Sequence, residues 1–184
     1  MDVDTGTDDA LAILYALGHP DLEVLGISCV AGNVAVDQVV INTCKVLDAA
    51  GAGDVPVAAG AVHPLIERAR REGGPHGPDG LAGIRLPDPS RQPSPLHAIE
   101  LMHQLITASP EPVSLVTLGP KTNVAMLPIM SVNSWVPRAQ KLIASNPPWS
   151  ASGGWWWGSG GWCSAPWWWA AAAWSGSAGP GRAA

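Results

Sequence analysis

Apolar and polar positions along the first 120 residues fall into short blocks whose period changes from segment to segment. After an acidic opening, ALAILYALGHP predicts a helix over 10–20. Leu11, Leu14 and Leu17 share a face, Gly18 stands at the stop and Pro20 lies just beyond. LEVLGISCVAGN (22–33) is a β-branched apolar run, predicted as a buried strand closing in a Gly-Asn turn. Residues 36–51 return to helical spacing through Val39, Val40, Val46 and Leu47, with a Gly stop. VPVAAG (55–60) predicts a short strand, and 61–95 a loop rich in Gly, Pro and Arg. An amphipathic helix over 97–109 and a buried strand over 113–119 follow.

Strands alternating with helices predict an α/β domain: a Rossmann-like, largely parallel sheet flanked by helices. In such sheets ligands bind at the carboxyl ends of the strands. Three segments are expected there and to converge on one site: DTGTDD (4–9), AGN (31–33) and LGPKTN (118–123).

Composition divides this picture in two. Residues 1–145 are expected to form the α/β portion, and 146–184 a Trp/Gly/Ala-rich low-complexity tail. Glu111 is the last acidic residue, and nine of the ten Trp lie between Trp149 and Trp174. A net charge of −5, with Arg68, Arg70 and Arg71 as the one basic cluster, argues against nucleic acid as a partner. Those arginines read as a solvated helix face. Cys29, Cys44 and Cys163 have no metal-ligand spacing and predict reduced thiols in a cytoplasmic protein, with no secretory signal ahead of the motif.

The opening MDVDTGTDD packs four carboxylates into nine residues. Like charges so close raise one another's pKa. A hard cation such as Ca²⁺ or Mg²⁺ resolves that repulsion with oxygen ligands, and Gly6 lets the backbone bend between the carboxylates. The bland alternative is that Asp8 or Asp9 only favours a helix N-terminus, and the residues alone leave the two about even. An EF-hand is excluded by the register of the Gly and the lack of a closing Glu.

DVDTGTDDALAIL closely resembles the N-terminal signature of the calcium-dependent, inosine–uridine-preferring nucleoside hydrolases, of form D-x-D-x-G-x-D-D-A. GISCVAGN, VPVAAGAVHPL, PHGPDGLAG and SLVTLGPKTNVAM follow in the family's order over the first 126 residues. The resemblance implies the nucleoside hydrolase fold, here truncated, and hydrolysis of ribonucleosides to base and ribose with Ca²⁺ and an activated water. It implies that Asp4 and Asp9 chelate the ion, that Asp4 is also the general base, and that Leu118 gives only its backbone carbonyl. Asp8 and Asn33 would contact the ribose hydroxyls and the water, and His76 would be catalytic beside the nucleobase. The partner implied is a small-molecule ribonucleoside, in a homo-oligomer if the full fold forms. The chemistry is coherent: N-glycoside cleavage passes through an oxocarbenium-like cation, and a carboxylate takes the proton from the attacking water.

The resemblance fades after TNVAM, and the 73 residues after Glu111 cannot supply a further carboxylate. The chain is also expected to lack the apolar stem that precedes the family's first Asp. Three readings of the tail stand: a shifted reading frame in a GC-rich gene, which ranks first; membrane contact through Trp; and a Trp-rich binding surface. Gly, Ser and Pro break the run from Trp155 to Trp174, so no spanning helix is expected. Two rivals remain to the hydrolase: a non-catalytic remnant that binds a divalent cation or a partner subunit, and a haloacid-dehalogenase-type phosphatase. The last fits DVDTGT loosely but leaves the AGN, HGPDG and LGPKTN matches unexplained.

Overall fold

A computed structural model describes residues 1–66, 74–130 and 141–144, within the compact unit Met1–Ser150. The expectations for the basic cluster at 68–71, for Cys163 and for the tail lie outside the described residues. In chain order the elements are β1 (Asp2–Val3), α1 (Thr7–Gly18), β2 (Ile27–Cys29), α2 (Val36–Ala49) and β3 (Val57–Ala59). Then come α3 (Ala98–Ala108), β4 (Ser114–Thr117), α4 (Thr122–Met130) and β5 (Lys141–Ala144).

All five strands are parallel, in the order β3-β2-β1-β4-β5. Asp2 lies opposite Ser28 on one side and Thr117 on the other, so β1 is the centre of the sheet despite its two residues. The chain runs from β1 outward to β3, then returns to lay β4 on the free side of β1. The order therefore reverses between β1 and β4, which opens a crevice at their carboxyl ends.

Two apolar clusters hold the layers. Val57 and Ala58 are adjacent on β3 and so point to opposite faces. Val57 packs with Val39, Val46 and Leu47 of α2, and Ala58 with Ala98 and Leu101 of α3. Helices α2 and α3 thus cover opposite faces of the sheet. Ile99, Met102 and Ile106 of α3 also pack with Leu115 of β4 and Val124 and Leu127 of α4.

Helix α1 corrects one expectation. Leu11 and Leu14 are exposed, and the inward residues are Asp9 and Ile13, with Ala10 and Leu17 partly buried against the core. The Asp9 carboxylate accepts the backbone N–H of Gly6, so that side of the helix faces the protein and Leu11 and Leu14 lie outside. The long apolar run at 22–33 is strand only over Ile27–Cys29. Among the described residues of 61–95 there is no helix or strand, as expected of a loop.

Candidate functional site

Each segment expected at the strand ends arrives there for a local reason. β1 stops after Val3, and the chain bends through Thr5 and Gly6 into α1, whose first turn carries Asp8 and Asp9. β2 ends at Cys29, and the turn that follows brings Asn33 back onto β1. Its backbone N–H donates to Asp4 Oδ2 (2.9 Å) and its side-chain amide to the Asp4 carbonyl (3.3 Å). Gly32 has no side chain because a Cβ there would overlap the Asp4 carboxylate. After β4, the N–H of Leu118 donates to the Asp2 carbonyl (2.8 Å), and a Cβ on Gly119 would sit 2.9 Å from both the Asp4 nitrogen and Asp4 Oδ1. The 118–119 turn therefore lies directly against Asp4.

The carboxylates differ in surroundings. Asp4 is buried, and desolvation, opposed by the Asn33 N–H, lifts its carboxyl to about 6. Asp9 is more buried still, and desolvation lifts it to about 7. The Gly6 N–H opposes that rise, while the charges of Asp4 and Asp8 add to it. Its Oδ2 accepts from Gly6 N (2.9 Å), while its Oδ1 is buried with no hydrogen-bond partner. Asp8 is largely exposed, 3.6 Å from Nε2 of His76. His76 reaches α1 from the 74–84 loop, where Gly77, Gly80 and Gly83 all take positive φ.

A buried carboxylate oxygen without a donor, beside a second carboxylate raised toward neutrality, is what a hard cation would relieve. The residues present fit such an ion through Asp4 and Asp9, both hard oxygen donors. Among the described residues no group of three or more His, Cys, Asp or Glu is clustered to hold a metal. Among the described residues, Asp4 and Asp9 are the carboxylates that would face such an ion.

Asp4, Asp8, Asp9, Asn33, His76 and the Leu118 turn are therefore brought to one edge of the sheet. Sequence reasoning missed the frame behind them. Asp2 is fully buried, its Oδ1 accepting from Ser28 Oγ (2.6 Å) and Asn123 Nδ2 (2.9 Å), and burial raises its carboxyl above the ordinary range. Asn123 also donates to the Cys29 carbonyl (3.0 Å) and accepts from Ala61 N–H (2.8 Å). One amide thus ties the ends of β1, β2 and β3 to α4. Asn42 of α2 holds the His76 loop in the same way, donating to the Asp79 carbonyl (2.8 Å) and the Thr5 carbonyl (3.3 Å). The KTN triplet and a lone Asn among the valines of an amphipathic helix were the available signals.

Comparison with known proteins gives a consistent result. Residues 1–143 match the model of the inosine-uridine preferring nucleoside hydrolase family. A pyrimidine-specific ribonucleoside hydrolase RihA of Shewanella baltica is 41% identical over 143 residues, 78% of this chain and 45% of that protein. RihA of Citrobacter koseri is 44% identical over 127 residues, 69% of this chain and 41% of that protein. Among solved structures, an inosine-guanosine nucleoside hydrolase matches with TM-score 0.72 and 32% identity, over 79% of this chain and 46% of the other. A purine-preferring ribonucleoside hydrolase from Gardnerella vaginalis matches with TM-score 0.71 and 29% identity, over 78% and 46%. The chain spans less than half the length of the relatives it matches.

Proposed function

The chain belongs to the inosine-uridine preferring nucleoside hydrolase family, and we propose that its site serves hydrolysis of the N-glycosidic bond of ribonucleosides, giving free base and ribose. The observation that carries this reading is the pairing of Asp4 with Asp9 at the reversal point of the sheet, with Asp9 Oδ1 left unpartnered. The relatives' names divide between pyrimidine and purine nucleosides, so the substrate class is stated no more narrowly than ribonucleosides.

Asp4 and Asp9, with the Leu118 carbonyl, would hold a calcium ion. When bound, it would neutralise the paired carboxylates and grip hard oxygen ligands of the sugar and water. Asp4 accepts the proton of the attacking water, whose oxygen forms the new bond to the anomeric carbon. The glycosidic C–N bond breaks, and its electron pair leaves with the base. Asn33 keeps Asp4 oriented for that transfer through two hydrogen bonds. Asp8, exposed on the first turn of α1, is free to accept from ribose hydroxyls. His76, 3.6 Å from Asp8 Oδ1, would contact the departing base. A homo-oligomer and a cytoplasmic setting are part of the same proposal, and no helix among the described residues is long and apolar enough to cross a membrane.

A second reading is cation binding without turnover, since among the described residues only Asp4 and Asp9 would face the ion as carboxylates. Ribose release from uridine and inosine separates the two. The proposal expects turnover with calcium that disappears on chelation and in Asp9→Ala. A folded protein that binds calcium yet releases no ribose supports the second reading.

A further inference from the structure

Thr7 is the first residue of α1, where a backbone N–H has no partner within the helix. Here that N–H donates to His76 Nδ1 (3.3 Å), and the Thr7 hydroxyl lies 2.8 Å from the same nitrogen. A backbone N–H cannot accept, so Nδ1 carries the lone pair and the proton of the neutral ring stands on Nε2. Nε2 lies 3.6 Å from Oδ1 of the largely exposed Asp8, so the ring's remaining N–H stands beside that carboxylate. The close approach depends on Gly6, where a Cβ would stand 3.0 Å from both His76 Cγ and Asp8 Oδ1. Asn42 holds the loop from the other side through the Asp79 carbonyl.

We propose that Thr7 is a positioning residue that fixes His76 as the Nε2–H tautomer. It thereby presents a hydrogen-bond donor beside Asp8 to an acceptor atom, a carbonyl oxygen or ring nitrogen, of the departing heterocycle. The tautomer stands on the contacts alone; the direction toward the heterocycle rests on the reading above. The acidic motif drew attention to its carboxylates, whereas the residue between Gly6 and Asp8 acts through its amide.

The test is long-range ¹H–¹⁵N NMR of His76 in chelated protein at pH 8, for the parent and for Thr7→Ser, Thr7→Val and Thr7→Pro. Proline at the first helical position is tolerated, and Gly6 is already extended (φ −94°, ψ −169°) as a residue before proline should be. In the parent, Nδ1 is expected at the pyridine-type shift and Nε2 at the pyrrole-type shift. Thr7→Pro removes the N–H and should move the tautomer ratio toward Nδ1–H by about fivefold or more, as loss of one hydrogen bond implies. Thr7→Ser should match the parent and Thr7→Val should fall between. A merely structural role for Thr7 would alter stability without moving the ratio. A parent dominated by Nδ1–H or by imidazolium overturns the proposal, as does a ratio unchanged in folded Thr7→Pro. If the proline variant does not fold, Thr7→Val decides by the same criterion. None of these readouts needs turnover, so failure of the hydrolase reading leaves the tautomer result standing or falling by itself.

Discussion

Replacing Asp9 with Asn should stabilise the metal-free protein at alkaline pH. Asp9 is 3% exposed and its carboxyl is raised to about 7, from an ordinary value near 3.8. Between those values the native state holds a proton that the unfolded chain has released, so stability falls as pH rises through that window and then levels off. Roughly three pH units at about 1.4 kcal/mol each put the cost near 4 kcal/mol at pH 8. Asp4, raised to about 6, acts in the same direction, but the two charges are coupled and their costs do not simply add. Asn keeps an oxygen for the Gly6 N–H but sets an amide N–H₂ where Oδ1 has no partner, which costs about 1–3 kcal/mol. The net expectation is that Asp9→Asn is more stable by about 1–3 kcal/mol at pH 8 in EDTA, a Tm higher by roughly 3–10 °C. At pH 4 the advantage should vanish, because the native carboxyl is then protonated. Thermal unfolding followed by circular dichroism at both pH values, with EDTA and with calcium, measures this. Calcium at about 100 times its Kd should stabilise the parent by about 2.7 kcal/mol and leave Asp9→Asn unmoved. An Asp9→Asn variant no more stable than the parent at pH 8 in EDTA would refute the electrostatic reasoning.

Three further outcomes follow from the contacts. Asn123→Ala removes three hydrogen bonds, buried ones to Asp2 and Cys29 and a part-buried one from Ala61, and should cost about 3 kcal/mol, read as a lower urea midpoint at unchanged m. Gly32→Ala drives a methyl into the Asp4 carboxylate and should weaken calcium binding by about tenfold or more in calorimetry, with a smaller effect on Tm. Arg91 donates to Asp48 Oδ1 (2.6 Å) and to the carbonyls of Ala52 (2.6 Å) and Val55 (3.1 Å), and holds the Asp48 carboxyl down near 2. Arg91→Ala should therefore lower Tm at pH 7 while leaving calcium affinity unchanged, since it touches none of the residues around Asp4.

Much of the fold is local and was legible. Val39, Val40, Val46 and Leu47 are buried as their spacing required, because a helix packed on a sheet must turn its apolar stripe inward. The parallel sheet followed from the alternation of strand and helix. α1 was misread because three leucines outvoted one carboxylate in a pattern that scores only hydrophobicity. In the structure Asp9 faces inward with Ile13, and two of those leucines are exposed. Asp4, Asp8 and Asp9 announced themselves as an improbable charge density. Asp2 did not stand out from them, although it serves the buried frame rather than the site. Nor did Thr7, Asn42 or Asn123, whose roles depend on contacts across 69, 37 and 121 residues that no local pattern encodes.

One divalent cation would be shared by Asp4 and Asp9 at the carboxyl ends of the central strands. Isothermal titration of chelator-stripped protein with calcium, beside Asp4→Asn, measures it. With two carboxylates and a carbonyl as protein ligands, the parent is predicted to bind one ion with Kd of about 10⁻⁴–10⁻³ M, and Asp4→Asn to give no binding heat. A folded parent that takes up no calcium, or an Asp4→Asn variant that binds as well as the parent, would contradict it.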